Sequence, residues 1–238
     1  MKVIINCLAG FVLMMFIASC TKIKGEGPIV TENRNLNGFS SVSNTISGTL
    51  NYKQENIFRV EIQAQQNILD VIRAEVINNE LVIKFKNGVN VKKHEPIVVN
   101  VSSPTIKGLR VSGSGDLLVQ TPLTSDNLSL TVSGSGNITV SDAEADELNA
   151  TISGSGNITM TTGYADQGRL TISGSGSISM QAVEMREAVT RTSGSGQTRL
   201  TATERLEVHI SGSGSVYYKG SPVVNSSISG SGNVVHVP

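Results

Sequence analysis

The sequence predicts an all-β fold, a right-handed parallel β-helix of stacked coils with an irregular β cap at its N-terminal end. The first observation is the tetrapeptide Ser-Gly-Ser-Gly, which recurs seven times from residue 112 onward at intervals of 21, 20, 20, 20, 18 and 18 residues. The second is the alternation of apolar and polar residues on both sides of each tetrapeptide. A nearly fixed period of about twenty residues is typical of a solenoid, in which each repeat packs on its neighbours.

The alternation separates a folded repeat from a flexible linker, which Ser-Gly composition otherwise favours. In the third repeat Ala150, Ile152, Ile158 and Met160 share one parity with both glycines. Successive residues of a strand point to opposite faces, so this parity predicts that the glycines face inward and the serines outward. The glycines given this structural role are Gly113, Gly115, Gly134, Gly136, Gly154, Gly156, Gly174, Gly176, Gly194, Gly196, Gly212, Gly214, Gly230 and Gly232.

Stacked coils also align their outward residues into columns. Two columns consist of serines, and a third consists of Asp116, Asn137, Asn157, Ser177, Gln197, Ser215 and Asn233. Polar ladders of this kind bond to one another along a stack, which favours a structural role over a ligand groove. The fifth repeat is expected to be loose, because Thr190, Thr192 and Thr198 bring hydroxyl groups to inward positions.

Residues 35–110 lack the tetrapeptide but alternate like strands, as at Val60 and Ile62. They are predicted to form either the first, irregular coils or a β layer that caps the stack. Residues 67–76 fit one or two helical turns. The spans between tetrapeptides, such as 141–147 and 161–168, are predicted to be loops or corners.

The N-terminus predicts export. Lys2 precedes an apolar run that ends at Ile17, as in a secretory signal of residues 1–19. Ala18 and Ser19 before Cys20 resemble the bacterial lipobox, in which a lipid is attached to the cysteine and the chain is cut before it. Residues 20–34 are then a lipid-anchored tether, and the expected location is the cell envelope, attached to the outer membrane and facing either the periplasm or the surface. Cys20 would be the one cysteine of the mature chain, which excludes an internal disulfide.

The chain resembles the head GIN domain family of putative autotransporter adhesins, a group of unknown function frequent in Bacteroidetes. The resemblance rests on Asn37-Gly38-Phe39-Ser40-Ser41-Val42, on Asn79-Glu80-Leu81-Val82-Ile83 and on the repeated tetrapeptide followed by Asn, Asp or Ser. It covers nearly all of the mature chain. It implies a β-helical fold and export, and it supplies no site residues.

The composition offers little catalytic chemistry. His94, His209 and His236 are scattered, and none has a second ligand at metal-binding spacing, so neither a metal nor a cofactor is predicted. His209 is expected to face outward and His236 inward. Equal numbers of basic and acidic residues, nineteen each, argue against a nucleic-acid partner.

Three functions stay open at this stage. The first is a non-enzymatic adhesive or scaffolding module that binds a surface glycan or protein. The second is a polysaccharide lyase or hydrolase with acids drawn from Asp142, Glu144, Asp146, Glu147 and Asp166, although a solvated acidic corner explains the same residues. The third is a purely structural envelope protein.

Self-association is a further expectation. The last coil ends in residues 223–238 without a capping helix or charged segment, and stacked arrays usually need a cap. The sequence therefore predicts a weak end-to-end homodimer through these residues.

Overall fold

The computed structural model describes residues 21–238, which form a β-solenoid of about six turns. Seventeen of its strands belong to one continuous sheet, and two more form a separate pair. The parallel, stacked all-β architecture predicted from the repeat is confirmed. The predicted signal segment and Cys20 lie outside the described residues.

The N-terminal part combines irregular coils with an antiparallel cap. Its elements are β1 Thr21–Ile23, β2 Ile29–Asn33, β3 Ser41–Asn44, β4 Thr49–Gln54, β5 Arg59–Gln65, α1 Gln66–Leu69, β6 Ile72–Ile77, β7 Glu80–Phe85, β8 Val89–Val91 and β9 Val98–Ser103. Strands β3 and β4 stack in parallel on β7 and β9, as coils do. Strands β5 and β6 pair antiparallel with β9 and β7, and β2 pairs antiparallel with β5. The two arrangements that the sequence left open therefore occur together.

Two predictions for this region need correction. Residues 21–33 hold two strands rather than a tether: β1 pairs with β8, and β2 lies along β5 with alternate residues half-buried. Gly25, Gly27 and Pro28, which are typical of loops, occupy only the short connection between these strands. The predicted helical turns shrink to α1, because the residues from Ile72 onward pair with β7 instead.

The repeats form the rest of the stack. Their strands are β10 Gly108–Gly113, β11 Asp116–Val119, β12 Leu123–Gly134, β13 Asn137–Gly154, β14 Asn157–Gly174, β15 Ser177–Gly194, β16 Gln197–Gly212, β17 Ser215–Lys219, β18 Val223–Gly230 and β19 Asn233–His236. Equivalent residues of neighbouring coils pair in register, as Ser133 does with Ser153 and Gly134 with Gly154. The first coil pairs with β3 and β4, which joins the array to the N-terminal part.

The tetrapeptide is a corner, and this changes the prediction for half of its glycines. The second glycine of each repeat within the stack, such as Gly156, is buried and faces the core as predicted. The first glycine, such as Gly154, is only partly buried and has a positive φ of 128°. The strand therefore ends at the first glycine, the chain turns, and the next strand starts after the second. Residues other than glycine rarely adopt such a φ.

The corner is held by hydrogen bonds between coils. The carbonyl oxygen of Gly134 accepts from the amides of Ser155, at 2.9 Å, and Gly156, at 3.0 Å. A Cβ on Gly156 would lie 2.1 Å from the Gly136 oxygen and 2.6 Å from Val132 Cγ1. The coils can approach to hydrogen-bonding distance here only because both glycines lack a side chain.

The core fills the tube with aliphatic side chains. Val132, Ile152 and Ile172 stack in one inward column, each essentially inaccessible to solvent. The spans predicted as loops between tetrapeptides belong to the strands. Ala143 and Ala145, in the first of these spans, lie in β13 and are buried. Alternate small apolar residues thus continue the ladder around the whole coil.

The fifth repeat differs from its neighbours. The hydroxyl oxygens of Thr190, Thr192 and Thr198 are buried without a hydrogen-bond partner. In the same coil the pairing of β15 with β16 shifts register between Met180 and Glu184, where the period shortens. Unpartnered hydroxyls and an irregular ladder both weaken this part of the stack.

Candidate functional site on the outer faces of the stack

The third outward column predicted from the sequence is confirmed. Its seven members pair residue by residue through consecutive coils, from Asp116 to Asn233. The amide of Asn137 donates to Asp116 at 2.8 Å, and the amide of Asn157 donates to Asn137 at 2.9 Å. The N-terminal half of this column is therefore engaged in its own ladder, as the structural interpretation requires.

The two serine columns flank the corner and project outward as predicted. The second serines, from Ser114 to Ser231, are all exposed. A neighbouring outward column before the corner contains Thr131, Thr151, Thr171, Arg191, His209 and Ser227. The column thus presents short hydroxyl side chains except in two later coils, where Arg191 and His209 are larger.

The later coils carry two features that the sequence analysis did not single out. A groove of about 390 Å³ is lined by residues of four consecutive coils, which include Arg191 and His209, hydroxyl-bearing residues such as Thr171 and Ser229, and the apolar Ile172 and Ile210. On the wall after the corner, the guanidinium of Arg199 lies 5.1 Å from the ring centre of Tyr217. The signal available in the sequence was the replacement of Ser and Thr by Arg, His and Tyr at outward positions of the last repeats.

His209 also contacts a carboxylate beside the groove, that of Glu207. Its Nε2 lies 2.5 Å from Glu207 Oε1, and this hydrogen bond is the main cause that lowers the pKa of Glu207. The positive charge of Arg191 acts in the same direction. The groove thus brings the Arg191 guanidinium, the His209 imidazole and several hydroxyl groups together at an open surface, next to the Glu207 carboxylate.

Of the acids considered for catalysis, Asp146 and Asp166 occupy equivalent positions of neighbouring coils, next to the paired Ala145 and Ala165. Asp142, Glu144 and Glu147 pair across coils with Thr162, Tyr164 and Gln167 rather than with other acids. The described residues hold no group of three or more His, Cys, Asp or Glu that could bind a metal ion.

Asp166 lies in a chain of ion pairs between exposed side chains. Its carboxylate accepts from the Tyr164 hydroxyl at 2.6 Å and lies 3.7 Å from Arg186. Arg186 also contacts Glu204 at 3.1 Å. The arrangement is a solvated charge network, the alternative that the sequence left open beside catalysis.

The three histidines are dispersed. His209 is about half-exposed and faces outward as expected. His236 continues the inward parity, in register with Tyr218 and Leu200, but is exposed; its ring packs on Tyr218 at 5.1 Å and its Nε2 donates to the Gly220 carbonyl. No further coil among residues 21–238 covers this position, so the inward parity does not bury it. His94 donates to the carbonyl of Glu95 at 2.6 Å.

Membrane attachment through Cys20 falls outside the described residues. Within residues 21–238 no helix has the length and apolar character needed to cross a membrane.

Parallel coils with polar outer faces and a filled core define the class of β-solenoid proteins. The chain belongs to the family described as putative auto-transporter adhesin, head GIN domain, whose model matches residues 38–222. The family inferred from the sequence is therefore confirmed. No curated protein matches the chain.

Several solved structures share the fold. A putative adhesin from Bacteroides fragilis NCTC 9343 is 24% identical, with a TM-score of 0.84 over 90% of this chain and 100% of that one. A putative lipid binding protein from Parabacteroides distasonis ATCC 8503 is 24% identical, with a TM-score of 0.79 over 92% of this chain and 100% of that one. A putative adhesin from the same strain is 27% identical, with a TM-score of 0.73 over 91% of this chain and 100% of that one. The likenesses at 24% identity show the fold alone.

Proposed function

We propose that this protein is a non-enzymatic lipoprotein of the cell envelope, anchored through Cys20, that uses its outer faces for adhesive binding to a glycan or protein. The observation that carries the proposal is the in-register repetition of polar groups along the stack. Equivalent groups recur at the strand spacing of about 4.8 Å, so a polymeric ligand meets the same contact several times. Repetition of weak contacts raises the overall affinity without any one strong site.

The groove around Arg191 and His209 is the part of this surface best suited to hold a ligand. Its hydroxyl groups can donate to and accept from sugar hydroxyls, and the Arg191 guanidinium can pair with a carboxylate in a bidentate manner. Arg199 and Tyr217 add a cationic and an aromatic group on the adjoining wall. We assign the specific contacts to these late coils and the repeated weak contacts to the hydroxyl columns.

The name of one structural neighbour raises lipid binding as another role. Another groove, of about 600 Å³, is lined mainly by polar and charged side chains, including Glu32, Arg34, Asp70 and Lys86. Such a lining suits an acyl chain poorly. The lipid in our proposal is therefore the one attached to Cys20.

Adhesion is tested with a deletion strain complemented by variants. Cells are measured for attachment to surfaces coated with polysaccharides or with extracellular-matrix proteins. The double variant Arg191→Ala/His209→Ala should reduce attachment toward that of the deletion strain, whereas Thr131→Ala, in the same outward column of an early coil, should leave it nearly unchanged. Attachment of the deletion strain at the level of the parent would refute the adhesive role.

The anchor is tested separately by metabolic labelling with a fatty acid. Replacing Cys20 with Ala should abolish incorporation of label, while the matched change Cys7→Ala, inside the predicted signal, should preserve it. Label in the Cys20→Ala protein would contradict the assignment.

A further inference from the structure

The C-terminal end of the solenoid is an unpaired edge. Strand β18 pairs on one side with β16, and β19 pairs on one side with β17. The strand pairings of residues 21–238 include no second partner for either strand. Residues that face the core in earlier coils are accordingly uncovered here: Ile228, which pairs with the buried Ile210, is 43% exposed.

The free hydrogen-bonding groups of this edge can be assigned. The amide of Asn233 donates to Gly214 and that of Val237 to Tyr218, both in the preceding coil. Both groups of a residue in a parallel ladder point to the same side, and the sides alternate along the strand. The amides and carbonyls of Val234 and His236 therefore point to the free edge. In β18 the residue equivalent to Ser129 is Asn225, and the Ser129 amide donates to the preceding coil. The amides and carbonyls of Val224, Ser226 and Ile228 therefore also point to the free edge.

Charge distinguishes this edge from two edge strands of the N-terminal part, β2 and β6, which pair on one side with β5 and β7. Natural proteins protect edge strands with charged side chains, which resist pairing. Strand β6 carries Arg73 and Glu75, and β2 carries Glu32. Residues 220–238, in contrast, contain no Asp, Glu, Lys or Arg. The edge thus lacks the usual barrier to pairing with another strand.

We propose that this edge is a self-association surface, on which β18 of one copy pairs antiparallel with β18 of a second copy. In a two-fold contact each patch meets itself, so any charge would face a like charge. An uncharged patch is compatible with that arrangement. The charged N-terminal edges disfavour head-to-tail stacking, so the assembly closes as a dimer and does not extend into fibres.

The test is sedimentation of the full chain in a mild non-ionic detergent at rising concentration, with variants that keep the fold intact. Ser227→Lys places a charge on an outward position of β18 and should raise the dimer dissociation constant at least about threefold. Ser226→Pro removes one edge-facing amide per copy, two per dimer, and should raise it about tenfold. Thr151→Lys is the matched control, since it lies in the same outward column but in a coil paired on both sides.

Mixing gives a further readout that co-occupancy of a micelle cannot imitate. The Ser227→Lys and Ser227→Glu proteins should each dimerise less than the wild type and should dimerise more strongly with each other than alone. Circular dichroism checks that every variant retains its strands. A monomer at all concentrations would overturn the proposal, as would a dimer weakened equally by Thr151→Lys or a series of species larger than the dimer.

Discussion

The buried corner glycines offer the sharpest test of how the coils pack. We consider Gly156→Ala, which adds one methyl group to a backbone of ordinary φ. The new Cβ would lie 2.1 Å from the Gly136 oxygen and 2.6 Å from Val132 Cγ1, whereas real contacts lie beyond about 3.4 Å. One of these neighbours is backbone, so the coils must separate by roughly 1 Å. We expect a loss of about 3 kcal/mol, from overpacking and weakened corner hydrogen bonds.

Two further substitutions separate the steric effect from the conformational one. At Gly38 φ is +74° and a Cβ would have nothing within 4 Å, so Gly38→Ala reports the cost of positive φ alone, about 1 kcal/mol. Gly154 combines φ +128° with a Cβ contact of 2.4 Å to the Gly134 oxygen, and Gly154→Ala should cost about 4 kcal/mol. The exposed Ser155→Ala should cost about 0.5 kcal/mol or less.

The assay is urea denaturation followed by circular dichroism, supported by thermal melts. A loss of about 3 kcal/mol corresponds to a fall in Tm of about 10 °C for a chain of this size. Equal stability of the Gly156→Ala and Ser155→Ala proteins would refute the packing argument. Equal losses for Gly38→Ala and Gly154→Ala would show that no contact limits the corner.

Three further predictions concern other parts of the stack. Burial raises the pKa of Tyr52 to about 12, against the lowering effect of its hydrogen bond with Ser103. Because the fold favours the neutral form of Tyr52, its contribution to the free energy of unfolding is complete below pH about 10 and falls by about 3 kcal/mol as the pH rises toward 12. In denaturation at several pH values, Tyr52→Phe should remove this part of the alkaline loss. Thr192→Val replaces a buried hydroxyl that has no partner and should stabilise the protein by about 1 kcal/mol; a lower melting temperature would mean that the hydroxyl is bonded. Asn137→Ala breaks two side-chain hydrogen bonds of the outer ladder and should cost about 1 kcal/mol, whereas an unchanged urea midpoint would show that the ladder adds no stability.

The repeat made much of the fold predictable. Identical tetrapeptides at a fixed spacing can align only if the coils stack in register, and the outward column from Asp116 to Asn233 follows from that alignment alone. Inward residues such as Ile152 and Ile158 were predictable from parity because a period of two assigns each residue to one face.

The sequence was less informative where glycine or distant pairing decides the structure. Gly154 has no side chain whose polarity could show its direction, so the turn at positive φ was invisible to parity. The strand Ile29–Asn33 depends on an antiparallel partner about thirty residues away in β5, and its glycine-rich flank favours a loop locally. Ala143 and Ala145 alternate with polar residues as in a strand, but the acids between and after them suggested a solvated corner.

The candidate site was less predictable than the fold. A surface used for repeated weak contacts has no catalytic spacing to recognise, and the groove around Arg191 forms only because four coils align their short side chains. The Arg199 and Tyr217 pair likewise joins residues from successive coils.

The most direct test of adhesive function is whether the protein faces the cell exterior. A protease recognition site inserted at the exposed turn of Asn87 and Gly88 leaves the stack intact, since a Cβ on Gly88 would contact nothing within 4 Å. Intact cells are treated with the matching protease, and a periplasmic protein with the same site serves as the control. We predict cleavage of this protein in intact cells while the control stays whole. Protection of both proteins until the outer membrane is permeabilised would contradict the adhesive account.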